Sequence, residues 1–240
     1  MNIYYRNEKA MFVERPNTES VTPLENIYDP MLELTAKFKE SRVTIKGVYS
    51  GSIVAADSLC IGYTNADRYK LTIRDTRERE FSGGIKGLIT IRNFETVFID
   101  GFELELWHDD EEDNTPLYLG HLFIGQKTTL PRFSPEPESG TALNSAASRS
   151  FGGQVFGIRR RSLDSFAVNF PRISAYEREV IKEYVNAVLT TEPHIIDPYP
   201  QAREEFPPMY VTLNTENVNF TKRNENGFYY TGSLSWQEAK

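Results

Sequence analysis

The chain has 240 residues, 39% hydrophobic and 12% aromatic, and a formal net charge of −7. That apolar and aromatic content excludes a disordered chain, and the length suits one large β domain or two small ones. The negative balance disfavours nonspecific binding to nucleic acid or anionic membrane.

In chain order, residues 1–40 read as an N-terminal extension, with a Pro-, Asn- and Thr-rich loop from Arg15 to Pro23. It begins Met-Asn-Ile-Tyr-Tyr-Arg, without an apolar signal core, and no segment is long enough to span a membrane. A soluble protein made in a reducing cytoplasm is expected. From Arg42 an alternation begins in which Val43, Ile45 and Val48 point one way along a strand. Residues 53–61 and 69–75 read as further strands, with a turn at Thr64-Asn-Ala-Asp between them. Cys60, the sole cysteine, lies in the apolar run Ser58-Leu-Cys-Ile-Gly and reads as a buried thiol. Gly83, Gly84 and Gly87 mark a bulged corner rather than a phosphate loop.

Residues 97–107 form a strand that places Phe102, Leu104 and Leu106 on one face. Residues 108–116 are an acidic hairpin tip, and Leu117 to Gly125 returns as an apolar strand. Residues 131–153, rich in Pro, Ser, Gly, Glu and Asn, read as an extended loop or arm. Strands at 154–158 and 165–170 flank a basic tip at Arg159, Arg160 and Arg161.

One helix is expected, over about 174–190. Ser174 and Glu177 make a capping box, and Tyr176, Val180, Ile181, Tyr184, Val185 and Val188 form an apolar stripe. Pro193 ends it. After the helix come strands near 194–197, 209–213, 218–222 and 228–236, with a hairpin turn at Asn224-Glu-Asn-Gly. The expected fold is mainly β: an antiparallel β-sandwich or jelly roll with a single helix packed on the sheet. The expected division is 1–40, a sandwich over 41–130, the arm 131–153, and a β-rich part over 154–240 that carries the helix.

Catalysis has no support in the residues. His108, His121 and His194 are not spaced with Cys, Asp or Glu as a zinc site needs. No Gly-x-Ser-x-Gly, P-loop or dinucleotide fingerprint is present. Asp109, Glu111 and Asp113 alternate as calcium ligands do, but without the glycine and distal glutamate of an EF-hand, so a solvated turn is the plainer reading. No carboxylate pair stands in a glycosidase context. No catalytic, cofactor-binding or metal-binding residue is assigned, and the chain is read as a non-enzyme.

Two stretches carry a resemblance. In the first, Val43-Thr-Ile, Ala56-Asp-Ser-Leu-Cys-Ile-Gly-Tyr-Thr-Asn65 and Tyr69-Lys-Leu-Thr-Ile-Arg-Asp follow in order. The second is Leu117-Tyr-Leu-Gly-His-Leu-Phe-Ile-Gly-Gln-Lys-Thr-Thr-Leu-Pro-Arg-Phe, followed by Arg149 to Arg161, the capped helix and Pro193-His-Ile-Ile-Asp-Pro-Tyr-Pro. The order resembles the tail-tip proteins of tailed phages, of the distal-tail type, with a discoidin-like, galactose-binding-type jelly roll. The sugar-binding Arg, Asp and aromatic set of discoidin-like domains has no position-by-position counterpart here.

The resemblance implies a structural subunit of the phage tail, made in the host cytoplasm and carried in the virion. It would assemble as a homo-oligomeric ring with other tail proteins, without nucleic acid, membrane or cofactor. Asp109, Asp110, Glu111 and Asp113 on one tip and Arg159, Arg160 and Arg161 on another are the expected assembly contacts, because a closed ring pairs two different patches of one subunit. The alternative is a carbohydrate-binding module for a host-surface glycan, with Tyr63, Trp107 and Tyr118 as candidates for stacking on sugar rings.

Overall fold

The structure is a computed structural model. It describes residues 1–5, 9–13, 20–29, 34–51, 53–74, 78–110, 112–134, 138–142, 145–149, 155–159, 163–188, 192–215, 218–222 and 227–239. The chain is mainly β, with antiparallel strand pairing and a single α-helix among the described residues. It divides into two compact units, one built from 2–128 and 197–208 and the other from 129–196 and 209–239.

The first unit holds β1 (Asn2–Tyr4), β2 (Met11–Phe12), β3 (Ala36–Lys37), β4 (Arg42–Val48), β5 (Val54–Thr64), β6 (Arg68–Arg74), β7 (Glu78–Gly84), β8 (Ile89–Ile99), β9 (Gly101–Trp107) and β10 (Tyr118–Gly125). Two sheets, ordered β3-β10-β5-β8 and β2-β4-β9-β6-β7, enclose one core. Strand alternation explains the enclosure. Val43 and Ile45, Leu71 and Ile73, and Phe102, Leu104 and Leu106 turn inward from the five-stranded sheet. Leu59, Ile61, Val97, Ile99, Leu122 and Ile124 meet them from the other sheet. Each such side chain contributes about 1.5–3 kcal/mol by leaving water. Val48 departs from the expected parity, because Gly47 takes the inward position after Val43 and Ile45. A Cβ at Gly47 would collide with the Phe102 ring and the Ala10 methyl, so the bare backbone is what lets that ring pack.

Residues 1–40 are not a separate extension. Leu24, Ile27, Ala36 and Phe38 are buried in this same core. The expected four-part division differs in a second way: the proline-bounded residues 197–208 return to the first unit. Gly83 and Gly84 lie within β7, paired with Tyr69 and Arg68, and the turn falls later, at Gly87 with φ +69°.

The chain leaves the first unit at β11 (Thr128–Thr129). Beyond it lie β12 (Glu138–Ala142), β13 (Ser145–Arg149), β14 (Val155–Arg159), β15 (Leu163–Val168), α1 (Ala175–Val188), β16 (His194–Asp197), β17 (Met209–Leu213), β18 (Phe220–Lys222), β19 (Tyr229–Thr231) and β20 (Leu234–Glu238). In the second unit the strands run β16-β17-β20-β15-β12.

Helix α1 starts as the capping box requires. The Glu177 carboxylate accepts from the Ser174 N–H at 2.7 Å, and the Ser174 hydroxyl accepts from the Glu177 N–H at 3.2 Å. Its buried residues are Ile181, Tyr184 and Val188, with Val180 and Val185 at the margin. Tyr176 is 78% exposed, contrary to its place in the expected stripe. It lies about 80° round the helix from Tyr184, outside the face that the sheet covers.

Candidate functional site

Residues 131–153 contain two strands where a loop or arm without pairing was expected. β12 pairs with β15 from Glu138↔Ala167 to Ala142↔Leu163, and β13 pairs with β14 from Ser145↔Arg159 to Arg149↔Val155. Together they form one long hairpin. Its proximal half joins the larger sheet through β15 and β20. Its distal half is a two-stranded sheet, about 16 Å long, that pairs only with itself among the described residues. Arg159 is the last residue of β14, opposite Ser145. Arg160 and Arg161 lie outside the described residues.

The acidic tip belongs to the first unit, at the end of β9. Arg68 Nε donates to Asp109 Oδ1 at 2.6 Å, and the Asp109 N–H donates to Asp67 Oδ2 at 3.0 Å. Asp110 accepts from the Glu112 N–H at 2.9 Å, and Asp113 from the Thr115 N–H at 2.8 Å. Hydrogen bonds from Thr115, with a smaller contribution from the His108 ring, hold the Asp113 carboxyl below its usual range. His108 is itself buried, between Asp67 Oδ2 at 3.4 Å and the Thr115 carbonyl at 3.1 Å. The structure thus brings Asp109, Asp110 and Asp113 together as a tip folded on its own backbone, which is how Asx turns use these residues. Glu111 lies outside the described residues.

The three candidate stacking aromatics occupy different settings. Tyr63 has φ +55° at the end of β5 and packs against Gly120, where a Cβ would come within 2.8 Å. Tyr118 is 39% exposed beside Lys37. Trp107 faces outward from the five-stranded sheet, in register between Arg42 and Arg68, with the Arg42 guanidinium 5.4 Å from the ring centroid.

Two buried polar clusters carry no sequence signature. In the first unit, the outer face of β5 presents Asp57, Ser58 and Cys60. Asp57 is bridged to Lys127 Nζ at 3.1 Å and accepts from the Lys127 N–H at 3.0 Å. Arg203 donates through Nε and Nη2 to Asp197 Oδ2 at 2.9 and 2.6 Å, and through Nη1 to the Ile91 carbonyl at 3.1 Å. Burial pushes the Cys60 thiol and the Tyr4 hydroxyl upward, so both stay protonated. In the second unit, Trp236 Nε1 donates to the Tyr184 hydroxyl at 2.7 Å, and that hydroxyl lies 2.6 Å from His194 Nε2. His194 Nδ1 donates to the Glu192 carbonyl at 3.0 Å, which leaves Nε2 bare to accept from Tyr184. The second cluster is matched by its own hydrogen bonds, whereas in the first both Arg203 bonds to Asp197 fall on Oδ2, and Asp197 Oδ1 is buried without a hydrogen-bond partner among the described residues. Among the described residues no group of three or more His, Cys, Asp or Glu side chains is placed to hold a metal, and no helix is long and apolar enough to cross a membrane.

No family model matches the chain, and no curated protein matches it. Among solved structures, the chain is similar to chitosan-binding module 1 of the chitosanase/glucanase from Paenibacillus sp. IK-5, at 12% identity and a TM-score of 0.38, over 50% of this chain and 96% of that one. A selenomethionine-labelled valine-to-methionine mutant of the same module matches at 10% identity and a TM-score of 0.39, over 51% and 98%.

Proposed function

We propose that the chain is a structural subunit of a phage tail, of the distal-tail type at the tail tip, joined to other copies and other virion proteins in a ring. One observation supports this reading, the hairpin arm. A two-stranded hairpin alone is marginally stable in water, and its outer edges carry backbone groups that a third strand would pair. A neighbouring subunit laid along the arm supplies that pairing and offsets the entropy of ordering it. The basic residues of the arm and the acidic tip of the first unit give the charge complementarity that sets register and association rate. Asp110 and Asp113 carry that acidic patch, since Asp109 is held by Arg68.

The test replaces residues 143–161 with a short turn, which removes β13 and β14 and keeps β12 and β15. Light scattering is expected to show a multimer for the parent chain and a monomer for the shortened one, with the same thermal melting. A parent chain that stays monomeric and does not enter tails would overturn the reading.

A second reading, a module for a host-surface glycan, is supported by a different observation. Of the two tryptophans, Trp236 is fully buried and Trp107 touches solvent on an open sheet face.

A further inference from the structure

The outer face of the five-stranded sheet has a composition that its register makes explicit. One row across the strands reads Arg42, Trp107, Arg68 and Gly84. The next reads Thr44, Glu105, Lys70 and Ser82. Side chains of both rows point away from the core, because Val43, Leu106 and Tyr69 between them point into it. The cations here are matched one by one. Arg42 bonds Glu105 at 3.1 Å, Arg68 bonds Asp109 at 2.6 Å, and Lys70 bonds Glu80 at 2.7 Å.

Resting on the second reading above, we propose that this face is a saccharide platform centred on Trp107, and that its ligand class is a neutral pyranose rather than an acidic sugar. The indole supplies a flat apolar surface for the C–H face of a pyranose ring, the contact that amphipathic aromatics make while keeping one edge wet. Adjacent strands are about 4.8 Å apart, so Arg42 and Arg68 stand about 10 Å apart across Trp107 and flank a single ring. Guanidinium and carboxylate groups held in ion pairs are fixed planar donors and acceptors, suited to pairs of neighbouring hydroxyls. Because each cation already has its carboxylate, an anionic sugar gains little on this face and a neutral one loses nothing. Glu105, with its side chain only 23% exposed, is the most fixed acceptor beside the ring. The Arg42 guanidinium, 5.4 Å from the centroid and held by Glu105, borders the indole as one of the two flanking donors.

The test uses the full chain with cellotetraose and maltotetraose as neutral probes and tetragalacturonate as the acidic one. Acrylamide quenching of tryptophan emission reads Trp107, since Trp236 is out of reach, and calorimetry reads affinity. A neutral probe is expected to cut the quenching constant about twofold, with affinity insensitive to salt. Trp107→Ala and Glu105→Gln are each expected to weaken calorimetric binding at least tenfold, while an unchanged thermal melting transition reports an intact fold. Protection by tetragalacturonate alone would overturn the neutral class and leave the glycan reading standing. Binding that survives Trp107→Ala would overturn the site. Failure of all three probes at millimolar concentration would overturn the site and the glycan reading together.

Discussion

The two units solve the same problem, a polar group in an apolar interior, by opposite means. The first buries charge. Asp57 meets Lys127, and Asp197, fully excluded from solvent, meets Arg203. Among the described residues, the polar groups that the second unit buries are neutral, and one chain of hydrogen bonds passes from Trp236 through Tyr184 to His194. An ion pair must recover the hydration of two charges and often stabilises little more than an apolar pair of the same shape. A neutral chain has less hydration to recover, but it depends on one tautomer and is sensitive to protons. The difference predicts how each unit fails.

The largest expected effect is in the neutral network. Trp236→Ala removes the indole from the sheet and the donor to Tyr184, and should cost roughly 3–5 kcal/mol in urea denaturation. Arg203→Ala tests the charged counterpart. It leaves the Asp197 carboxylate buried without its cation, at about 3 kcal/mol, whereas the double change Arg203→Met with Asp197→Leu should restore most of that. If the double variant is as unstable as the single one, the pair is a source of stability and the contrast between the units fails.

Acid sharpens the comparison next. Burial lowers both His121 in the first unit and His194 in the second from 6.5 to about 4. Both folded values lie below the unfolded one, so the stability they contribute is complete above about pH 6.5. It is lost as pH falls from there toward 4. Each ring should cost about 2 kcal/mol by pH 5 relative to pH 7, read as a lower urea midpoint. His194→Gln should remove half of that pH dependence; a slope that does not change would sink the assignment. The smallest effect is local to α1. Ser174→Ala should cost about 1 kcal/mol, because it leaves the Glu177 N–H without its cap.

What the sequence showed and what it hid divides along the range of the interactions. The hairpin turn expected at Asn224-Glu-Asn-Gly lies, but for Gly227, outside the described residues. The capping box of Ser174 and Glu177 and the inward alternation of Phe102, Leu104 and Leu106 are properties of neighbours in the chain. Each followed from local spacing. The bond between Trp236 and Tyr184 joins residues 52 apart, and Arg203 reaches Ile91 across 112. No periodicity encodes such pairs. Tyr176 misled because a helical stripe gives a direction but not the width of the surface that covers it. The arm strands were missed for another reason: the Ser, Gly and Ala that dominate them carry little strand preference. Of the expected contact residues, Asp109, Asp110 and Asp113 share the segment after β9, but that segment crosses to β10 in the other sheet rather than closing the expected hairpin. Their internal bonds to Arg68, Glu112 and Thr115 were not legible.

The small side chains of the arm bear on how such a chain can vary. Where main-chain groups do the pairing, one small residue in Ser145-Ala-Ala-Ser can be exchanged for another with little effect on the ladder. A change in length is different. One residue inserted between Ala142 and Ser145 would shift the register of β13 on β14 and turn every side chain beyond it to the opposite face. Descendants of this sequence should therefore drift freely in composition along the arm while keeping its length nearly constant, the reverse of what surface loops usually do.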